Sequence, residues 1–160
     1  MVVAADWPEV TITLLEANGR RAAFLRRAIE ALALADRVSV LEERAELSGR
    51  RPELRAAFDG VLARSFGRPA VVAECAAPLL KKDGWLIVSE PPARSTGGGT
   101  NEEADAGAQE RWPREPLRRL GLESAEVIHG DFEYRTLRQV ELCPDRFPRR
   151  DGVPAKKPLF

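Results

Sequence analysis

The segment that most constrains the fold is residues 11–18, which read Thr-Ile-Thr-Leu-Leu-Glu-Ala-Asn. A β-branched and aliphatic run stops at Glu16, and a helical pattern begins directly afterwards. This sequence is typical of a buried parallel strand that passes straight into a helix.

Glu16 is the first candidate functional residue because of its place at the end of that strand. Parallel strands open at their carboxyl ends into the crevice of the sheet, where a carboxylate can accept both hydroxyls of a ribose. The position therefore predicts a nucleoside-bearing cofactor. The alternative is that Glu16 only serves the first turn of the following helix, where the dipole favours a negative charge.

Strand and helix patterns alternate along the first ninety residues, which predicts a mostly parallel sheet with helices on both faces. The predicted strands are residues 10–16, 38–42, 58–64 and 85–90, and the predicted helices are residues 20–34, 53–57 and 69–80. A short helix at 116–120 is followed by strands at 125–128 and 134–142, an antiparallel pair around His129-Gly130-Asp131. We expect an α/β fold, a doubly wound sheet that ends in an antiparallel hairpin, as in class I methyltransferases.

Composition limits the classes of protein that the chain can belong to. The 160 residues are 44% hydrophobic and have a formal net charge of zero, so no global field attracts nucleic acid. The two cysteines lack metal-site spacing, and no apolar run is long enough to span a bilayer. We expect a cytoplasmic protein without a membrane segment, with reduced thiols, although pairing of the cysteines stays open.

Two segments differ in composition from the rest of the chain. Residues 91–109 contain Pro91-Pro92 and Gly97-Gly98-Gly99 among acidic residues, and they are expected to form a flexible surface loop rather than a phosphate cradle. Residues 143–160 are rich in basic residues and proline. We therefore expect a domain at 1–142, interrupted by the loop at 91–109, and a basic extended tail at 143–160.

The tail offers a local basic patch that could contact RNA phosphates. The candidate RNA-binding residues are Arg149, Arg150, Lys156 and Lys157. The alternative is an ordinary terminus that packs along the surface of the domain.

Four separated segments resemble the RsmG (GidB) family, in the order that the family has them. They are residues 14–26, 44–46, 58–66 and the tail at 147–159. The resemblance implies a Rossmann-like class I methyltransferase fold and S-adenosylmethionine as cofactor. It also implies methylation of guanine N7 in 16S ribosomal RNA of the small ribosomal subunit.

Residue by residue, the resemblance implies that Glu16 binds the cofactor ribose, that Ala45 and Glu46 lie beside the adenine, and that Arg64 belongs to the cofactor site. From the residues alone, Glu46 could equally cap a helix and Arg64 could be a surface residue. Guanine N7 has a free lone pair, so we assign no catalytic base, and His129 is expected to be a turn residue. No metal is expected, and we expect a monomer.

The chain departs from the family pattern in two places. A strand and a glycine-rich turn normally precede the strand that ends at Glu16, and the sequence shows neither, so we expect a sheet lacking the first strand. If the chain is complete, weak or no cofactor binding is expected without that turn, and a non-catalytic methyltransferase-like protein that binds RNA or a protein partner is the alternative function. In addition, Ser89-Glu90-Pro91-Pro92 stands where many members have Lys-Gly.

Overall fold

The computed structural model describes residues 2–90, 111–129 and 132–160, which form two compact units. The first unit is residues 1–47 and the second is residues 48–160. The expected loop at 91–109 lies outside the described residues, as do Gly130 and Asp131.

The first unit contains one parallel pair of strands. Its elements are α1 (Val2–Asp6), β1 (Ile12–Leu15), α2 (Gly19–Ala31), β2 (Val38–Leu41) and α3 (Ala45–Ser48). Strands β1 and β2 are paired from Ile12 opposite Val38 to Leu15 opposite Leu41. The buried core of this unit consists of Ala4, Ile29, Leu34 and Val38.

The sequence explains why α2 begins where it does. The side chain of Asn18 accepts hydrogen bonds from the backbone nitrogens of Arg20 and Arg21, at 3.0 and 3.1 Å. These bonds satisfy amides that have no partner within the helix. The first turn of α2 is therefore fixed directly after Glu16.

The second unit contains a four-stranded mixed sheet in the order β3-β4-β6-β5. Its elements are β3 (Phe58–Ala63), α4 (Pro69–Ala76), a 3-10 turn (Ala77–Leu79), β4 (Leu80–Ser89), α5 (Arg114–Arg118), β5 (Leu122–Ile128), β6 (Tyr134–Gln139) and α6 (Val153–Lys156). Strand β4 is parallel to β3 and antiparallel to β6, and β6 is antiparallel to β5. The expected carboxyl-terminal hairpin is therefore confirmed.

One predicted helix is wrong. Residues 52–56 form turns, and the short helix of this region is α3, at the end of the first unit. The backbone nitrogens of Ala56 and Ala57 donate to the carbonyls of Pro78 and Leu79, at 2.9 and 3.1 Å. Tertiary hydrogen bonds thus take the place of those that a helix would form.

The carboxyl-terminal segment differs from the extended tail expected from its prolines. Phe147 and Cys143 lie in the core of the second unit, and residues 153–156 are helical. The guanidinium of Arg55 donates to the carbonyls of Gly49, Cys143 and Phe147 at 2.7–2.9 Å. Burial of the apolar side chains and these charged donors hold the segment against its unit.

Both cysteines are free and buried, and burial raises the pKa of the Cys143 thiol from its ordinary value of 9.0 to about 12. We expect the folded chain to alkylate at Cys143 about a thousandfold more slowly at pH 8 than the unfolded chain, since only the thiolate reacts. Because the folded pKa is the higher one, the contribution of this thiol to stability is present below its unfolded pKa and is lost as pH rises towards 12.

Mass spectrometry of iodoacetamide-treated protein, with a guanidinium-unfolded sample as control, measures the alkylation rate of Cys143. Equal rates in the folded and unfolded samples would contradict the buried position of this side chain.

Among the described residues, no helix is long and apolar enough to cross a membrane.

Candidate cofactor site at the strand ends

Glu16 lies where the sequence places it, directly after β1. Its backbone nitrogen donates to the carbonyl of Leu41 at 3.1 Å, which continues the pairing of β1 with β2. One carboxylate oxygen accepts from the backbone nitrogen of Asn18 at 2.8 Å, and the other lies 3.9 Å from the guanidinium of Arg21. Glu16 therefore hydrogen-bonds to the start of α2, as the alternative interpretation of the sequence expects.

That bond leaves Glu16 able to bind a ligand. A carboxylate has about four acceptor positions, and the backbone of Asn18 occupies one of them. The side chain is 24% exposed, so it is held in place and still reaches solvent. The carboxylate can thus accept from the two hydroxyls of a ribose.

A second carboxylate, Glu42, follows β2 and was not named from the sequence as a site residue. It accepts from the guanidinium of Arg26 at 2.9 Å. Gly19 lies close to it, because a Cβ at this glycine would be 2.8 Å from the Glu42 carboxylate. The sequence could have identified Glu42 as a candidate, because this residue ends a strand pattern as Glu16 does.

Ala45 and Glu46 begin α3, only a few residues after β2. Because β1 and β2 are parallel, these residues and Glu16 follow the carboxyl ends of neighbouring strands. Ala45 is 7% exposed and Glu46 is 5% exposed. A carboxylate oxygen of Glu46 lies 3.3 Å from the guanidinium of Arg44, which compensates the buried charge.

In the second unit, Arg64 directly follows β3 and is exposed. Ala63 is opposite Val88 in the parallel pair, so β3 and β4 end at the same edge of their sheet. Glu90 follows β4 at this edge and is 11% exposed. Its carboxylate accepts from the indole nitrogen of Trp112 at 2.5 Å and from Arg111 at 2.9 Å.

A comparison with known protein families identifies the family of this chain. The family model described as GidB, rRNA small subunit methyltransferase G, matches residues 1–90. The chain belongs to the GidB family. The matched part contains Glu16, Ala45, Glu46 and Arg64, and the resemblance seen in the sequence is confirmed at the level of the family.

Curated GidB relatives match nearly the whole chain. A ribosomal RNA small subunit methyltransferase G from Prochlorococcus marinus (strain MIT 9303) is 34% identical over 159 residues, which cover 99% of this chain and 62% of the relative. The protein of the same name from Chloroflexus aggregans is 38% identical over 160 residues, with 96% and 61% coverage. The chain thus spans about 62% of the length of the curated relatives that it matches.

Solved structures show that this GidB protein has the class I methyltransferase fold. An O-methyltransferase family protein from Burkholderia thailandensis superposes with a TM-score of 0.60 at 19% identity, over 86% of this chain and 46% of that one. A putative sarcosine dimethylglycine methyltransferase from Galdieria sulphuraria gives a TM-score of 0.59 at 10% identity, with 86% and 72% coverage. The Rossmann-like fold expected from the sequence is therefore confirmed.

Arg149, one of the candidate RNA-binding residues, is half-buried and binds the carboxylate of Glu74. Its backbone nitrogen and its Nε each donate to one oxygen of Glu74 at 2.8 Å, and its Nη2 donates to the other oxygen at 2.6 Å. Glu74 is completely buried, and its hydrogen bond raises the pKa of Arg149. The guanidinium therefore compensates a buried carboxylate and is 28% exposed.

The other three candidates keep exposed side chains. Arg150 precedes α6, Lys156 ends that helix and Lys157 follows it. His129, directly after β5, lies 3.3 Å from Glu133, directly before β6, and is 70% exposed. In the described ranges, no group of histidine, cysteine and acidic side chains is arranged to hold a metal ion.

Proposed function

We propose that this GidB protein is an S-adenosylmethionine-dependent methyltransferase that modifies ribosomal RNA of the small ribosomal subunit, at guanine N7 of 16S rRNA. The observation that carries the proposal is the family match over residues 1–90, which contains the strand-end carboxylate Glu16. As a partner of the ribosomal subunit, the protein would act in the cytoplasm, as a monomer.

The first unit supplies the nucleoside contacts in this proposal. Glu16 accepts the ribose hydroxyls, because its carboxylate has free acceptor positions and a fixed orientation. Ala45 supplies a small apolar wall for the adenine, and Glu46, paired with Arg44, fixes the start of α3 beside it. In the second unit we propose Arg64 as a further cofactor residue, since its guanidinium is exposed at the end of β3.

Methyl transfer to guanine N7 requires few catalytic groups from the protein. Bound S-adenosylmethionine would supply an electrophilic methyl group on a sulfonium. Guanine N7 would bond to this methyl group through its own lone pair as the methyl–sulfur bond breaks and S-adenosylhomocysteine leaves, so no proton has to be removed first and no general base is required. The protein then acts by positioning the base and by excluding water.

Transfer of a labelled methyl group tests the proposed function. We expect the purified chain, with tritiated S-adenosylmethionine, to label small ribosomal subunits that lack this modification, and digestion to yield N7-methylguanosine. Glu16→Ala should lower labelling by about 100-fold or more at subsaturating cofactor, because it removes two hydrogen bonds to a charged group, each of which contributes about 1.5–3 kcal/mol. Glu9→Ala, at an exposed carboxylate outside the site, is the matched control. Labelling that is absent, or that Glu16→Ala leaves unchanged, would contradict the proposal.

The basic patch should contribute to RNA binding through its exposed members only. We expect the triple replacement of Arg150, Lys156 and Lys157 by alanine to weaken RNA binding and to reduce the slope of log affinity against log salt by about 2–3. Fluorescence anisotropy at several salt concentrations measures this slope. Triple replacement of the exposed Arg20, Arg26 and Arg27 on α2 is the control, and an equal loss in both variants would show a nonspecific charge effect instead.

A further inference from the structure

The end of β5 and the start of β6 lie at the same edge of the second sheet as the ends of β3 and β4. Because β6 is antiparallel to β4, Tyr134 at its start is opposite Ser89 at the end of β4. The backbone nitrogen of Glu90 donates to the carbonyl of Glu133 at 2.8 Å. Phe132, two residues before Tyr134, therefore belongs to the edge that Arg64 also occupies.

Large apolar side chains are exposed at the end of β5 and at the start of β6. Phe132 is 64% exposed, Ile128 is 46% exposed and Tyr134 is 38% exposed. The following residues of β6, from Arg135 to Leu137, are buried. Exposed aromatic residues on a loop that a rigid sheet positions are typical of a binding surface.

The chemistry of this edge favours a nucleic acid base as the occupant. Aromatic rings bind unpaired bases by stacking, which tolerates any base. Arg111 is 44% exposed where it pairs with Glu90, and Arg64 is exposed at the end of β3. Two guanidinium groups at the same edge of the sheet as two exposed rings match the charged phosphates and flat bases of a single strand.

We propose that Phe132 and Tyr134 form a stacking surface for an unpaired base of the RNA substrate. The proposal rests on the proposed function and deepens it, because it names the residues that hold the RNA strand at the edge where the sheet opens. Phe132 and Tyr134 are substrate-contact residues and take no part in moving protons or the methyl group.

Binding of a fluorescein-labelled single-stranded RNA of about 20 nucleotides tests this proposal by anisotropy. We expect Phe132→Ala and Tyr134→Ala each to raise the Kd about 5- to 30-fold, which is the usual effect of removing one stacking ring. Tyr134→Phe and Phe132→Tyr keep a ring and should stay within about twofold of wild type. Phe24→Ala removes a ring that is 61% exposed on α2 and is the matched control, with no expected effect.

The outcomes separate the stacking proposal from the proposed function. RNA binding by wild type that neither alanine variant weakens would overturn the stacking surface and leave the methyltransferase proposal standing. A loss of binding to whole ribosomal subunits without a loss for the free RNA would assign the surface to a ribosomal protein, which also overturns it. Absence of binding of this RNA by the folded wild type would overturn the stacking surface, whereas the methyltransferase proposal depends on the labelling of whole ribosomal subunits. Unchanged melting temperatures establish that the variants are folded.

Discussion

Replacing Arg149 by alanine is expected to lower the free energy of unfolding by about 3–5 kcal/mol, the usual cost of removing one partner of a buried ion pair. The carboxylate of Glu74 is completely buried, and Arg149 supplies donors to both of its oxygens. Removal of the guanidinium leaves this charge without its main compensation. The same variant also loses the bond from Nη2 to the carbonyl of Lys157, at 2.7 Å.

Equilibrium unfolding in urea measures the effect on the wild type and the variant. Arg150→Ala, at the neighbouring exposed residue, is the control and should change the free energy of unfolding by less than about 0.5 kcal/mol. The double variant Glu74→Met with Arg149→Met should recover most of the loss, since an apolar pair leaves no buried charge behind. A loss of less than about 1 kcal/mol in Arg149→Ala would contradict the assigned role of the pair.

Gly121→Ala is expected to lower the free energy of unfolding by at least as much as Arg149→Ala. Gly121 has a φ of +77°, and a Cβ there would collide with the carbonyl oxygen of Glu141 and lie 2.8 Å from the side-chain nitrogen of Gln139. The first of these atoms belongs to the backbone and cannot rotate away. The left-handed conformation alone costs an alanine about 1–2 kcal/mol, and the collision adds to this, so we expect a total loss of about 4 kcal/mol or more.

Gly152→Ala separates the two causes of that loss. Gly152 has a similar φ of +72°, but no atom lies within 4 Å of the position of a Cβ. This variant should therefore lose only the conformational part, about 1–2 kcal/mol. Equal losses at both glycines, measured by urea unfolding, would contradict the close approach of Gly121 to residues 139–141.

The sequence predicts the parts of this protein that local pattern determines. The strand that ends at Glu16 is identifiable because an apolar run stops at a carboxylate, and Asn18 follows it as a helix cap. The short helix at 53–57 was predicted wrongly because tertiary bonds from Ala56 and Ala57 outweigh a local preference that is weak over so few residues.

The role of Arg149 could not be predicted from local pattern. Its partner Glu74 is 75 positions away in the sequence, and the apolar residues around Glu74 do not show which side chain compensates its charge. The prolines of the tail favour an extended chain, but Phe147 packs into the core and Arg55 binds its carbonyl. Long-range contacts therefore decide which of the basic residues face solvent.

Calorimetric titration of the purified chain with S-adenosylhomocysteine, alongside Glu16→Ala and the control Glu9→Ala, measures whether Glu16 binds the cofactor ribose. We predict saturable binding by the wild type and by Glu9→Ala, and its loss in Glu16→Ala, because the carboxylate after β1 holds the ribose. Equal binding by Glu16→Ala would contradict this role, and so would absence of binding by a folded wild-type chain, which is the outcome that the sequence alone favours.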